Sequence, residues 1–432
     1  MPKEAKAMHR LSTALKLWCI VTGIIVIHGV TALSASSEPP VTITFAAMKT
    51  FGLDTMPYVI QKFQEKYPNI KVAYIEMPSP NFSTEIHQYL VTNLAGGGST
   101  IDVFTIDIIW FAEFAEAGWL LPLDEYFTPQ EKAEYFPGIV QGVTYKGQMV
   151  GVPWYLDAGM LYYRKDLLDK YGFQPPKTWD ELIRQAQVIL AGEKNPELKG
   201  FVWQGRQAEV LVCDLVEFLG SGMRIIDADG KVVLNSPEAV KAAKLMYDLI
   251  YRYRLTPEAV LTYDEEPSRR VFTSGNAIFL RNWSYVWGLA NDPSESKVVG
   301  KVGVAPLPAF PGEHSAATLG GYQFGINRNT RHRDAAVKFV KFLSSPEIQL
   351  YFANKIGFAP TRPAVYDDPN LKDPFLRQLQ AVFTGATPRP ITPRYPQVSL
   401  ILQSEFSKLL ANRATPEDAV REAARRIEQA VR

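Results

Sequence analysis

The chain of 432 residues is 47% hydrophobic and carries 46 basic against 45 acidic side chains, a formal net charge of +1. Such a length buries a sizeable core and divides into roughly two or three domains, while the balanced charge excludes the basic footprint of a nucleic-acid or membrane-surface protein. Aromatic residues make up 12%, including 8 Trp and 20 Tyr; this suits a carbohydrate-binding surface and a well-packed core equally.

Lys3, Lys6 and Arg10 give the chain a positive start, residues 17–30 are apolar, and residues 32–37 (Ala-Leu-Ser-Ala-Ser-Ser) are small. The pattern predicts an export signal over residues 1–35, cleaved after Ser34 or Ala35. Because the apolar run approaches membrane-spanning length, an uncleaved anchor is the alternative. Cys19 opens the apolar region instead of closing it behind small residues, which argues against a lipid anchor. Without the signal, Cys213 is the one remaining cysteine, so no intramolecular disulfide can form. Its apolar surroundings, residues 210–216, predict a buried and inert thiol.

Residues 41–47 alternate as a strand, 55–67 have helical spacing stopped by Pro68, and 70–77 form a second strand. A helix over 84–94 and a third strand over 102–107 follow, leading into a helix over 109–117. This order implies right-handed crossovers and a parallel sheet, whose ligands sit beyond the carboxyl ends of the strands, where Asp107 falls. Gly96-Gly-Gly-Ser-Thr100 lacks the Lys-Ser/Thr ending of a phosphate loop and follows a helix, so it reads as a helix terminus and connection.

Next come Trp154, Tyr155 and Asp157, just before an apolar strand and a helix. Rigid aromatic faces beside a carboxylate suit a polyhydroxylated ligand, since the rings cover its C–H faces and the carboxylate accepts from its hydroxyls. An edge strand with surface aromatics would have the same composition. Thr178-Trp-Asp-Glu181 is a capping box, and Ser236-Pro-Glu, Thr256-Pro-Glu, Ser345-Pro-Glu and Thr415-Pro-Glu repeat one helix-start device. Residues 277–286 read as a strand delivering Trp283 and Tyr285, and 302–308 as a further strand-like segment. Leu319-Gly-Gly-Tyr322 precedes a helix over 333–343, and a packed amphipathic helix covers 419–431. The five histidines show no metal-ligand spacing, and neither a Gly-x-Ser-x-Gly elbow nor a Cys/His pair occurs. Neither metal nor cofactor is therefore expected.

The stretch from Gly151 to Leu168 resembles the lobe-crossing strand of sugar-binding proteins from ABC importers, the extracellular solute-binding family 1, nearest its trehalose/maltose-type branch. The similarity in motif order runs over nearly all of the chain after residue 40. It implies an α/β, two-lobe periplasmic-binding-protein fold of type II, each lobe a mainly parallel sheet flanked by helices with the cleft between them. The first lobe would comprise residues 36–154 and 303–344, the second 155–302 and 345–432, with crossings near 153–156, 302–306 and 343–346.

Residue by residue, the resemblance makes Asp107 a hydroxyl acceptor with Trp110 close behind, and Tyr155 and Asp157 the crossing-strand pair. It makes Trp283 and Tyr285 stacking aromatics, Gly320, Gly321 and Tyr322 a turn facing the ligand, and Arg362 a second-lobe arginine. His87 stands where relatives carry an arginine, and Met48-Lys-Thr-Phe51 stands where an acid is expected; these departures suggest a ligand other than plain maltose or trehalose. Each residue also has a plainer role available: Asp107 as a helix cap, Trp283 as core, Gly320-Gly321 as a tight turn, Arg362 as a surface ion pair. The implied protein is a monomeric, non-enzymatic receptor outside the cytoplasmic membrane. It would bind a small sugar and present it to permease subunits, with the ATPase engaged indirectly, and would not bind nucleic acid. A glycoside hydrolase using Asp107 and Asp157 is the rival, disfavoured because the two acids belong to different lobes; a polysaccharide-binding adhesin is another.

Overall fold

Apolar residues in Val41–Met48 (β1) bury Ile43, Phe45 and Met48, and Phe45 meets Phe339 edge-on at 5.0 Å, which in turn lies 4.8 Å from Phe63. This aromatic packing fastens the helices Met56–Lys66 and Arg333–Leu343 to the first sheet. The computed structural model describes residues 39–50, 55–80, 83–220, 223–227, 229–384 and 386–432, so the export segment expected at residues 1–35 lies outside the described residues.

In the first sheet, β1 pairs in parallel with Ile70–Met77 (β2) and Val103–Asp107 (β3), as the alternation of strand and helix predicts. Its fourth strand, Tyr322–Ile326 (β12), returns late in the chain and runs antiparallel to β3, giving the order β12-β3-β1-β2. Between these come the hairpin Thr144–Tyr145 (β4) and Gln148–Met149 (β5), then Tyr155–Ala158 (β6) and Met160–Arg164 (β7).

The second sheet joins β7 to Lys199–Val202 (β8), Ala277–Asn282 (β9) and Val302–Ala305 (β10) in the order β10-β7-β9-β8. Here only β8 and β9 are parallel. β8 and β9 are joined through helices and pair in parallel, whereas β7, arriving from β6, runs opposite to β9. The core of this lobe gathers Leu215, Met246 and Phe279 with Leu402, Phe406, Val420 and Ile427 from the last two helices, Tyr395–Leu410 and Pro416–Val431.

A third sheet, made of β6, Ala317–Gly320 (β11), Ala359–Pro360 (β13) and Ala386–Thr387 (β14), lies between the two and has the order β13-β6-β11-β14. After β11 the chain turns at Gly321 into Tyr322–Ile326 (β12) of the first sheet. The crossing expected at 153–156 thus coincides with the start of β6. The other two expected crossings need correction. Residues 302–306 overlap β10, an edge strand of the second sheet, and the connecting strand is β11 instead. Residues 343–346 join two consecutive helices, Arg333–Leu343 and Pro346–Ile356, and the connecting segment is β13.

Helix starts divide similarly. Thr178 with Glu181 forms the capping box, and the Ser236 and Thr415 side chains accept from Ala239 and Asp418 amides. Ser345 precedes its helix without such a bond. Thr256 caps nothing: its hydroxyl donates to Phe201 carbonyl and accepts from the Trp203 indole, because a buried hydroxyl is taken by the partners that the core offers. Residues 96–100 are a helix exit, with Gly97 at φ +67°, and Cys213 is buried with its thiol pushed well above the usual range by desolvation. Among the described residues no helix is long and apolar enough to cross a membrane.

Candidate functional site

Beyond the end of β3, and bordered by the β6–β11 pair of the connecting sheet, lies a cleft of about 910 Å³. That volume is in the upper part of the range for small-molecule sites, about 300–1,000 Å³. The residues read from sequence as facing a ligand all line it except Arg362 and Trp154. Strand register explains much of this convergence: Gly320 stands opposite Asp157 on β6, and Tyr322 opposite Asp107 on β3.

Asp107 accepts from the Ile109 amide at 3.2 Å, so it is a helix cap and a cleft residue at once. Arg389 lies 3.6 Å from its carboxylate. Burial raises the Asp107 carboxyl to about 6 against the opposing pull of Arg389. Asp157 accepts from the Ala158 and Ser284 amides at 2.9 and 3.0 Å, and burial likewise pushes it up to about 6 despite those bonds.

The glycines have steric reasons. Gly321 has φ +104°, and a Cβ there would come within 2.5 Å of the Tyr155 carbonyl. A Cβ on Gly320 would sit 3.1 Å from the Trp283 ring, so the backbone approaches the indole closely.

β9 ends at Asn282, short of the strand expected to residue 286, and this places Trp283 and Tyr285 in the following turn instead of in a sheet. The Trp283 ring rests on Arg281, whose guanidinium carbon lies 4.2 Å from its centroid. Arg281 is buried and pairs with Asp214 at 2.7 Å and with Glu217 at 2.5 Å; Glu217 also accepts from the Thr318 amide of β11. The Tyr162 hydroxyl donates to the Trp283 carbonyl at 2.7 Å, and the Tyr285 hydroxyl donates to Glu266 at 2.8 Å.

On the first-lobe side, His87 shares a hydrogen bond with Glu113 at 2.8 Å, and its ring stands 5.0 Å from Trp110. Trp110 is packed edge-on against Tyr322. Tyr155 stacks on Phe358 at 3.9 Å. The Tyr322 hydroxyl is buried without a hydrogen-bond partner among the described residues.

Two assignments are corrected. Arg362 does not line the cleft: it donates to the Ser344 carbonyl and the Tyr135 hydroxyl and pairs with Glu134, so its guanidinium is engaged away from the cleft. Trp154, read from sequence as one of the ligand-facing aromatics, is only 1% exposed and stacks on Phe324 in the core.

Sequence reasoning missed Arg389, which follows β14 between two prolines. It donates to Glu209 at 2.8 Å and to the Leu319 carbonyl at 3.4 Å, and its Nε is buried without a partner among the described residues. Glu209 also accepts from Tyr395 and Ser399 hydroxyls. Glu265 and Glu266, on the first turn of the helix Glu265–Thr273, were missed as well. The Pro-Arg-Pro sequence was a usable signal, since prolines on either side limit where an arginine can go.

The cleft is therefore walled by aromatic faces, buried carboxylates and an arginine, a set that accepts from and donates to a ligand rich in hydroxyls. Residues 52–350 match the family model for bacterial extracellular solute-binding protein. A probable ABC transporter-binding protein of Deinococcus radiodurans is 36% identical over 400 residues, covering 90% of this chain and 93% of that protein. Among solved structures, maltose-bound T. maritima MalE3 is 45% identical with a TM-score of 0.81, covering 90% of this chain and 99% of that one. A solute-binding protein from Thermotoga lettingae, bound with α-D-tagatose, is 28% identical with a TM-score of 0.78, covering 91% and 100%. With its two-lobe fold, the chain belongs to the family of bacterial extracellular solute-binding proteins of ABC transporters.

Proposed function

We propose that this protein captures a di- or oligosaccharide, or a sugar-type osmolyte of similar size, outside the cytoplasmic membrane and delivers it to a permease by closing its lobes. The observation that carries this reading is the Trp283 platform: an indole held from beneath by Arg281 with Asp157 hydrogen-bonded to the adjoining Ser284 amide. An aromatic face beside a carboxylate matches a sugar ring, which is apolar on its faces and hydroxylated around its edge. The 45% identity to maltose-bound MalE3 supports the same ligand class. Closing the lobes would surround the sugar, so that ligand binding shifts the population toward the form that the permease recognises.

The test is a thermal-shift panel of trehalose, maltose, sucrose, glucosylglycerol and monosaccharides, followed by calorimetry and chromatography of the released ligand. At least one panel sugar should raise the melting temperature, because a ligand that binds only the folded state stabilises it. It should also be recovered intact. No shift with any sugar, or conversion to monosaccharides, would overturn the proposal.

A further inference from the structure

The carboxylates around the cleft are unequally satisfied. Glu209 is engaged by Arg389, Asp264 pairs with Arg206, and Glu266 is held by Arg269 and Tyr285. Asp157 and Glu265 form no ion pair among the described residues, and both line the cleft beside Trp283. Asp157 is joined to the platform through the Ser284 amide at 3.0 Å. Glu265 is joined to the ring itself, accepting from the Trp283 Nε1 at 3.4 Å.

That indole bond is too long to be the main reason for a carboxylate at this place. Trp283 is already positioned by Arg281 beneath its ring, by the Tyr162 hydroxyl on its carbonyl and by the close approach of Gly320. Glu265 is thus left with acceptor capacity beside an aromatic face, and desolvation by burial raises its carboxyl above the usual range. A partly buried carboxylate in that position gains most from a donor brought by a ligand.

We propose that Glu265 contacts the ligand directly and that, with Asp157, it brackets the sugar ring stacked on Trp283, selecting rings with free hydroxyl donors towards both acids. This rests on the sugar-binding reading above and adds a residue and a selection rule to it.

Calorimetry on the full chain tests it with the five-part panel above, then with monodeoxy derivatives of whichever panel sugar binds, for the parent, Glu265→Gln and Glu265→Ala. Losing a hydrogen bond to a charged acceptor should weaken binding of Glu265→Ala about 10- to 150-fold, with Glu265→Gln losing less. One deoxy position should weaken binding to the parent but not to Glu265→Ala, a non-additivity that a purely structural role would not produce. The far-ultraviolet circular dichroism of the ligand-free variants should match the parent, reporting an intact fold; if Glu265→Ala does not fold, the deoxy series on Glu265→Gln decides. Parent-like affinity in a folded variant, or additive losses at every deoxy position, would overturn this proposal alone. A parent that binds none of the panel overturns it together with the functional reading.

Discussion

Replacing Asp157 by Asn should make the empty protein more stable and the binding protein worse. Burial raises this carboxyl from 3.8 to about 6, which at about 1.36 kcal/mol per pKa unit corresponds to about 3 kcal/mol of penalty for holding the charge at pH 7. Because the folded pKa is the higher one, the unfolded chain releases its proton first as pH rises. The contribution to stability is therefore retained below about pH 4, lost between about 4 and 6, and constant above. Asn keeps an oxygen for the Ser284 and Ala158 amides but carries no charge to desolvate. With about 2.1 cal/mol/K of unfolding entropy per residue, melting at pH 7 should rise by about 3–4 °C, and the difference from the parent should vanish near pH 4. Sugar affinity should fall about five- to tenfold in Asp157→Asn and about 10- to 150-fold in Asp157→Ala, as a charge-assisted hydrogen bond becomes a neutral one or none. Calorimetric melting from pH 4 to 8 and titration with ligand measure both. A folded Asp157→Asn that melts at or below the parent at pH 7, or a melting difference that does not change with pH, would refute the argument.

Trp283→Ala should weaken ligand binding and remove much of the ligand-dependent fluorescence change, whereas parallel Trp154 substitution should disturb the core; unchanged affinity in a folded Trp283→Ala would place that ring outside the site. Arg281→Met should cost about 3–5 kcal/mol in urea unfolding, because Asp214 and Glu217 lose their shared buried cation. Gly321→Ala should be destabilising and should impair binding, since φ +104° and the 2.5 Å approach to the Tyr155 carbonyl leave no room for a methyl group; a melting temperature equal to the parent's would contradict that.

Local signals carried far in this chain. Residues 70–77 were readable as a strand and 333–343 as a helix from apolar spacing alone, and both occur with those bounds. Asp107 could be placed at a strand end from the strand–helix order, whereas Tyr155, Asp157 and the Gly320-Gly321-Tyr322 turn were named through the resemblance to sugar-binding proteins; all line the cleft. What could not be read locally was partnership. β10 and β11 are both short, partly apolar segments, and only pairing with β7 or β6 decides which one joins the lobes. Arg362 and Arg389 are likewise alike in chemistry, and the difference lies in distant partners, Glu134 and Tyr135 for one and Glu209 and Asp107 for the other. Trp154 and Tyr155 meet edge-on at 5.1 Å and both pack against Phe358, yet only Tyr155 lines the cleft, so adjacent aromatics of one segment divide between core and site.

The last two helices close the core around Phe279 and Met246, and this imposes an order of assembly. Tyr395–Leu410 and Pro416–Val431 follow the other described elements of the second lobe along the chain, so that lobe cannot complete its interior until both helices have docked. Until then its apolar surface stays uncovered, and contacts of such sequence separation form slowly. Because Tyr395 and Ser399 of the first of these helices also line the cleft, the cleft wall is complete only once that helix has docked.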